Sequence, residues 1–136
     1  MVRYISKKEV IDANKTVTTT YNQPHFVQQE ANLDHVLDSV ERYGEGIGDE
    51  GGRIIKKAAF LLFHLAHTAH VFADGNKRTA ITSTIFFLNQ NGFEAKFETA
   101  EDQDELAKVV KEAAAGKHTI NYLYKWLSGK ISKTLK

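Results

Sequence analysis

Cysteine is absent from the 136-residue chain, and proline occurs once, as Pro24. The lack of cysteine excludes disulfide bonds and thiolate metal sites, and it is compatible with a reducing cytoplasm. No apolar run reaches the length of a membrane span, because the longest is interrupted by His64 and His67. The formal net charge is only +1, so no broad basic surface favours direct binding of nucleic acid. We therefore expect a cytoplasmic protein without a membrane or nucleic-acid partner.

The apolar residues recur mainly at helical spacing, in a chain long enough for one domain with a sizeable core. Ser6 and Glu9 form a capping-box pattern, which predicts an N-terminal helix that begins near Ser6 and continues to about Lys15. Residues 16–30 are polar and lack a sustained period, which indicates a surface loop. The residues from 44 to 52 include five glycines and predict a mobile connection.

The segment from Arg53 to His70 is apolar around most of its helical circumference, which is typical of a buried central helix. We expect helices after it over residues 76–90, 99–116 and 119–128, an extended piece near 93–98, and a basic tail, 130–136, that frays into solvent. The sequence thus predicts an all-α single domain, residues 1–136. We expect a helical bundle around one buried helix, with at most a short flap or extended piece.

The chemistry is expected in the nine residues His70-Val71-Phe72-Ala73-Asp74-Gly75-Asn76-Lys77-Arg78, which connect two helices. A helix that opens near Asn76 would present unpaired N–H groups and the positive end of its dipole to an anion such as phosphate. Gly75 permits close approach of the backbone, and Lys77 and Arg78 add positive charge. Asp74 is a hard oxygen ligand suited to Mg²⁺ beside phosphates. His70 can accept a proton from a hydroxyl near neutral pH.

Each of these residues also has a structural interpretation. A histidine at the end of a helix often caps the last carbonyls, and a Lys-Arg pair is usually a solvated surface. The spacing of His64, His67 and His70 could indicate a zinc site, but the three positions drift around the helix and no fourth ligand follows at a familiar spacing. The nine-residue combination favours a phosphate site over these alternatives.

The nine residues resemble the Fic/Doc family signature H-x-F-x-[D/E]-G-N-[G/K]-R, and Lys77 is similar to the Doc (death-on-curing) branch. The resemblance extends to the runs 58–63, 79–80, 88–93 and 126–127. It implies the Fic fold, with His70 as the catalytic base and Asp74 as the ligand of Mg²⁺. It further implies that Phe72 anchors the loop in the core and that the phosphate pocket is lined by four residues: Gly75, Asn76, Lys77 and Arg78.

At two positions the chain differs from the family members that transfer AMP, and both differences bear on which group the protein is expected to transfer. Those members usually have glycine where this chain has Lys77, and a second arginine where it has Ile81. Both departures favour Doc-like transfer of a phosphoryl group from ATP to a hydroxyl of another protein, for which the family precedent is a translation elongation factor. Transfer of AMP by the same residues is the first alternative. A catalytically silent module that binds nucleotide or a partner is the second.

The resemblance also implies partners. Part of residues 44–52, with Gly46, Ile47 and Gly48 at its centre, is expected to form a flap that docks the target protein, although a plain flexible loop is an equal alternative. Some Fic proteins block their own site with a helix of pattern [S/T]-x-x-x-E-[G/N], which no position here satisfies. We therefore expect a separately encoded antitoxin to inhibit the protein in trans, as in a toxin–antitoxin system.

Overall fold

The computed structural model describes residues 1–134 and confirms the predicted all-α fold. The helices are α1 (Lys7–Thr20), α2 (Glu30–Arg42), α3 (Glu50–Phe63), α4 (Asn76–Gln90), α5 (Ala100–Ala114) and α6 (Ile120–Ser128), and two short strands, β1 (Phe93–Ala95) and β2 (Ile131–Lys133), lie between and after them. In the part of the chain that the structure describes, no helix combines the length and apolarity that crossing a membrane requires.

Helix α3 is the centre of the bundle and packs mainly against α6 and α4. Its residues Ala58, Ala59 and Leu61 have no exposed surface, and their apolar side chains lie on different sides of the helix. Phe63, near the C-terminal end of the helix, is only half-buried. Because α3 is enclosed by its neighbours, its C-terminal end is held in a fixed position.

Helix α1 is longer than predicted. The Ser6–Glu9 capping box is present as expected, but the helix continues to Thr20 and not to about Lys15. The threonines that suggested a loop are compatible with the helix, because the Thr18 hydroxyl donates to the Asn14 carbonyl at 2.8 Å. Asn14 and Thr18 are fully buried against the rest of the bundle, so this face of α1 packs inward.

The glycine-rich connection is shorter and more ordered than predicted. Helix α3 begins at Glu50 and not near Arg53, because the Asp49 carboxylate accepts a hydrogen bond from the Gly52 N–H at 2.8 Å and caps the helix. The Arg53 guanidinium donates to the Ile47 carbonyl at 2.7 Å and holds the preceding loop against the helix. Two of the five glycines therefore belong to the first turn of α3.

The basic tail was expected to fray, and for residues 131–133 that prediction is wrong. Strand β2 pairs antiparallel with β1, with Phe93 opposite Lys133 and Ala95 opposite Ile131. Lys130 forms an ion pair with Glu105, which attaches the start of the segment to α5. The extended piece near 93–98 is thus one half of a two-stranded sheet. Residues 135 and 136 of the predicted tail lie outside the described residues.

Candidate active site

The chain leaves α3 through a π-helical segment, His64–Thr68, so the predicted regular helix to His70 is wrong in its last turn. The Ala69 N–H donates to the His64 carbonyl at 2.9 Å, and the Ala69 carbonyl accepts from the side chain of Asn32 at 2.7 Å. His70 follows with φ of 46°, a left-handed conformation that is uncommon for residues other than glycine. The wider turn and this conformation direct the backbone away from the helix and leave His70 exposed.

Residues 71–75, the motif loop, are held by residues 23–29, which we call the flanking segment. The N–H groups of Gln28 and Gln29 donate to the Val71 carbonyl at 2.9 and 3.0 Å, and the Ala73 N–H donates to the Phe26 carbonyl at 3.0 Å. The pairing is antiparallel, with Val27 opposite Phe72. The Gln28 amide also donates to the His70 carbonyl at 3.3 Å. The flanking segment therefore fixes the backbone on which His70 stands.

Phe72 of the motif loop and Asn76, the first residue of α4, are joined by two hydrogen bonds. The Phe72 N–H donates to Asn76 Oδ1 at 3.1 Å, and Asn76 Nδ2 donates to the Phe72 carbonyl at 2.7 Å. The Phe72 side chain is 1% exposed and packs beside the His25 ring, with 6.2 Å between ring centroids. The Asn76 amide is thus engaged by the loop itself, so what Asn76 offers to a ligand is its backbone N–H at the start of α4.

A buried amide on α1, Asn14, connects three parts of the site. Its Nδ2 donates to the Asp74 carbonyl at 2.9 Å and to Thr79 Oγ1 at 3.0 Å. Its Oδ1 lies 2.7 Å from His25 Nδ1, which must then carry a proton. Sequence reasoning did not identify Asn14. The available signal was a polar residue on the same helical stripe as Val10 and Thr18, both of which are buried.

Gly75 begins the turn into α4 with φ of 78°. A Cβ atom at this position would lie 3.2 Å from Asn14 Nδ2 and 3.2 Å from Val17 Cγ2, so both the conformation and the space favour glycine. The first N–H that bonds back into the helix is that of Thr79, to the Gly75 carbonyl at 2.8 Å. The preceding N–H groups point out of the helix end, where the helix dipole is positive.

The side chains of Lys77 and Arg78 are exposed beside this helix end. The Arg78 guanidinium lies over the ring of Tyr21, 3.7 Å from its centroid, in a cation–π arrangement. Tyr21 directly follows α1, and no motif in the sequence marks it as a neighbour of the site. The ring restricts the guanidinium to one side of the α4 N-terminus.

Two cavities meet at Lys77 and Arg78. The first, the phosphate cavity, has a volume of about 250 Å³ and is lined by Gln23 and residues 73–78. The second, the lateral groove, has a volume of about 510 Å³ and lies between α1, α4 and α5, with Val17, Leu106 and Val110 among its apolar walls. A negatively charged group in the phosphate cavity would face two cations and the N-terminus of α4.

The structure does not bring Gly46, Ile47 and Gly48 to the motif loop. These residues precede the N-cap of α3, whereas His70 follows the C-terminal end of that helix. The 14 residues of α3 alone separate the two ends by about 21 Å, at about 1.5 Å per residue. The segment that lies beside the motif loop is the flanking segment.

The histidines before the motif serve the packing of the π-helical segment. His67 Nδ1 lies 2.8 Å from the Ala114 carbonyl, and the His64 ring packs on Phe60 with 4.3 Å between centroids. Burial lowers the pKa of His64, and the nearby His35 and His67 lower it further. Among residues 1–134, no three His, Cys, Asp or Glu side chains are grouped closely enough to hold a metal ion by themselves.

Comparison with known proteins gives two findings. The sequence pattern described as the Fic/DOC family matches residues 4–88, which include α1, α3 and the whole motif. A protein named Protein kinase doc, from Escherichia phage P1, is 31% identical to this chain over 102 residues. The alignment covers 61% of this chain and 77% of the phage protein.

Proposed function

The chain belongs to the Fic/DOC family, and on this basis we propose that it is an ATP- and Mg²⁺-dependent transferase that phosphorylates a side-chain hydroxyl of another protein. The observation that carries the proposal is the position of the motif. An exposed His70 stands at one end of a loop whose other end, residues 73–78, lines a cavity at the N-terminus of α4. This arrangement supports a base and an anion site on one short, hydrogen-bonded segment.

In the proposed reaction, His70 accepts the proton of the target hydroxyl. The hydroxyl oxygen forms a bond to the γ-phosphorus of ATP, while the bond between that phosphorus and the β,γ-bridging oxygen breaks and ADP leaves with the electron pair. Exposure of His70 suits this role, because a large substrate must reach it. The backbone hydrogen bonds from the flanking segment to residues 71–73, and the bond from the Gln28 side chain to the His70 carbonyl, fix the base relative to the cavity.

Charge that develops during transfer would be stabilised by Lys77, Arg78 and the N–H groups at the start of α4. The planar guanidinium of Arg78 is suited to two phosphate oxygens, and its stacking on Tyr21 reduces the conformational freedom that binding would remove. Lys77 is a more mobile point charge, which can follow the phosphoryl group.

The residues of the phosphate cavity also fit Mg²⁺. The Asp74 carboxylate is half-buried at its edge, and a carboxylate beside phosphate oxygens is a typical set of Mg²⁺ ligands. Gln23, from the flanking segment, lines the same cavity. When bound, Mg²⁺ would neutralise phosphate charge. Asp74 would hold it, with the Asp74 backbone fixed by Asn14.

Ile81 favours phosphoryl transfer over AMP transfer. It lies one turn after Lys77 and lines the lateral groove, where an arginine in the same place would add a third cation next to Arg78. The phage relative is named as a protein kinase. AMP transfer remains the alternative, with the nucleotide bound in the opposite direction.

We propose that the target protein docks on the flanking segment. Phe26 is 61% exposed although it is aromatic, and Gln28 beside it is exposed as well. Both stand on the strand-like stretch that bonds to the motif loop, so a peptide bound there would lie next to His70. A translation elongation factor is the first candidate, from the family resemblance.

The lateral groove is the proposed site of an antitoxin. Its apolar walls, Val17, Leu106 and Val110, suit the apolar side of a helix, and Lys77, Arg78 and Lys111 at its margin suit acidic side chains. A segment bound there would cover both cations of the phosphate site. The protein would then be the toxin of a toxin–antitoxin pair.

The test is a labelling reaction with purified elongation factor or a cell extract, run in parallel with ATP labelled on the γ-phosphate and on the α-phosphate. The control is His70→Asn, which removes the base and, because asparagine tolerates the left-handed conformation, preserves the backbone. We expect transfer of the γ-label alone, abolished in the variant. Transfer of the α-label would establish AMP transfer. Transfer of neither label would leave the silent binding module as the better description.

A further inference from the structure

Three successive backbone carbonyls around His70 accept hydrogen bonds from the flanking segment and the start of α2. The Asn32 side chain donates to the Ala69 carbonyl at 2.7 Å. The Gln28 side chain donates to the His70 carbonyl at 3.3 Å, and two N–H groups of the flanking segment donate to the Val71 carbonyl at 2.9 and 3.0 Å. The bond from Asn32 is the shortest of these, and it is made directly before His70.

The Ala69 carbonyl depends on Asn32 because the helical chain ends there. A continued α-helix would bring the Ala73 N–H to this carbonyl, but that N–H donates to the Phe26 carbonyl at 3.0 Å. Ala69 is only 4% exposed, which leaves little access for water. Since a buried carbonyl without a partner is unfavourable, the Asn32 amide supplies what the interrupted helix does not.

Asn32 is itself fixed by its place in α2. It lies in the first turn of that helix, and its N–H donates to the Gln29 carbonyl at 3.1 Å. The next residue, Leu33, has no exposed surface and anchors the turn in the core. A carbonyl only accepts hydrogen bonds, so the Asn32 atom that faces Ala69 is the amide nitrogen. The amide therefore links the position of α2 to the chain just before His70.

The consequence for His70 follows from backbone geometry. Its φ of 46° is a left-handed conformation, which persists in a residue other than glycine only where surrounding contacts fix it. Asn32 holds the peptide group before the His70 Cα, and Gln28 holds the peptide group after it. Because φ and ψ of His70 are the rotations between these two groups, fixing both groups fixes the direction of the His70 side chain.

We propose that Asn32 is a positioning residue for the transfer reaction: its bond to the Ala69 carbonyl holds His70 in the left-handed conformation from which the imidazole accepts the proton. This inference rests on the proposed function, because it takes His70 as the base. It assigns a role to a residue of α2, outside both the motif and the flanking segment.

The experiment measures steady-state transfer from γ-labelled ATP to purified translation elongation factor by the wild type, Asn32→Ala and Asn32→Asp. Asn32→Asp keeps the shape of the side chain but replaces the donor with a carboxylate. An acidic residue in the first turn of α2 is favourable to the helix dipole, so this variant is expected to remain folded. Thermal unfolding shows whether each variant is folded.

The matched control is Asn91→Ala. Asn91 also donates from its side-chain amide to a helix-end carbonyl, that of Phe87 at 2.8 Å, but it does so at the end of α4 opposite to the motif. This variant loses a bond of the same kind without a connection to His70. We expect its kcat and KM to stay within about twofold of the wild type.

We expect both Asn32 variants to lower kcat by about 10–10²-fold, because a displacement of about 1 Å from the productive geometry can cost about 10²-fold. KM for ATP and for the acceptor protein should stay within about twofold, since the amide bonds to the backbone and not to the phosphate cavity. In a His70→Asn background, Asn32→Asp should cause no further loss of the residual rate, because it acts through the imidazole.

A folded Asn32→Asp with the kcat of the wild type would overturn the inference, and so would an equal proportional loss in the His70→Asn background. Crystal structures of the wild type and Asn32→Asp give the φ of residue 70 without turnover. We expect the variant to leave the left-handed region, and an unchanged φ would also overturn the inference. A wild type that transfers no phosphate would overturn the proposed function, whereas the two crystal structures would still show whether Asn32 holds this conformation.

Discussion

The two ends of helix α3 are built differently. The N-terminal end follows a glycine-rich loop and is capped by Asp49. In the middle of the helix, the fully buried Lys57 donates from its ammonium group to the carbonyls of Val40 and Glu41 at 3.0 and 2.9 Å, which joins α3 to the end of α2. The C-terminal end widens into a π-helical segment, and the loop after it is held by the amides of Asn14 and Asn76.

The glycine-rich end of α3 and the end that leads to His70 are therefore different ends of the helix. Glycine content predicted a mobile connection at the N-terminal end, and the family resemblance implied that part of it docks the target, yet that end lies about one helix length from His70. The C-terminal end is followed by a π-helical segment and, at His70, by a left-handed residue that is not glycine. Such departures from regular geometry persist only where surrounding contacts fix them, and they concentrate at functional sites.

The largest expected effect is on catalysis at the C-terminal end. His70→Asn should lower the rate of γ-phosphate transfer by about 10²–10⁴-fold, the usual contribution of a general base, without a measurable change in thermal stability. The matched change at the other end, Gly48→Ala, should leave the rate within about twofold, because a Cβ atom there meets nothing within 4 Å. Radiolabel incorporation measures both. If Gly48→Ala kept its fold but lost most of the transfer rate, the glycine-rich loop would again be a candidate for binding the target.

The next effect compares two buried polar residues: Asn14, which joins α1 to the motif loop and α4, and Lys57, which joins α3 to α2. Asn14→Leu removes three hydrogen bonds and leaves the Asp74 carbonyl and His25 without their partner. We expect it to lower the free energy of unfolding by about 3 kcal/mol, since an unpaired buried group costs about 1–3 kcal/mol. Nucleotide affinity should fall with it.

Lys57→Met is the control for that comparison, because it removes two buried hydrogen bonds that join the middle of α3 to α2, away from the motif loop. It should also lower the free energy of unfolding measured with denaturant, while the folded protein retains its nucleotide affinity. Equal loss of affinity in the two variants would show that the two regions are coupled and that the distinction between them is wrong.

A smaller effect on the free energy of unfolding distinguishes Gly75, which has a left-handed conformation, from Gly46, which has open space around it. Gly75→Ala should lower the free energy of unfolding by about 2 kcal/mol, because the left-handed conformation costs other residues about 1–2 kcal/mol and the added methyl would meet Asn14 and Val17 at 3.2 Å. Gly46→Ala has free space and should raise it by about 0.4–1 kcal/mol. Denaturant unfolding measures both. A destabilised Gly46→Ala would mean that the loop needs a conformation that alanine cannot adopt.

The sequence was sufficient for the features that depend on local patterns. The presence of the helices, the capping box at Ser6 and the composition of the motif follow from spacing and residue type. The remaining features depend on contacts between distant segments. The pairing of β1 with β2, the bonds from residues 26–29 to the motif loop, and the proximity of Asn14, Tyr21 and Gln23 to residues 74–78 have no local signal.

The smallest expected effect is a pH dependence confined to the C-terminal end of α3. Burial, with His35 and His67 nearby, lowers the pKa of His64 below its ordinary value of about 6.5. The unfolded chain therefore takes up this proton at a higher pH than the folded protein. Stability should fall as pH decreases from about 6.5 through the lower pKa of the folded state. His64→Gln should reduce this dependence, and His35→Gln, which removes one neighbouring charge, should reduce it less. Denaturant unfolding at about pH 7 and about pH 5 measures the difference, and an unchanged dependence in His64→Gln would assign it to another group.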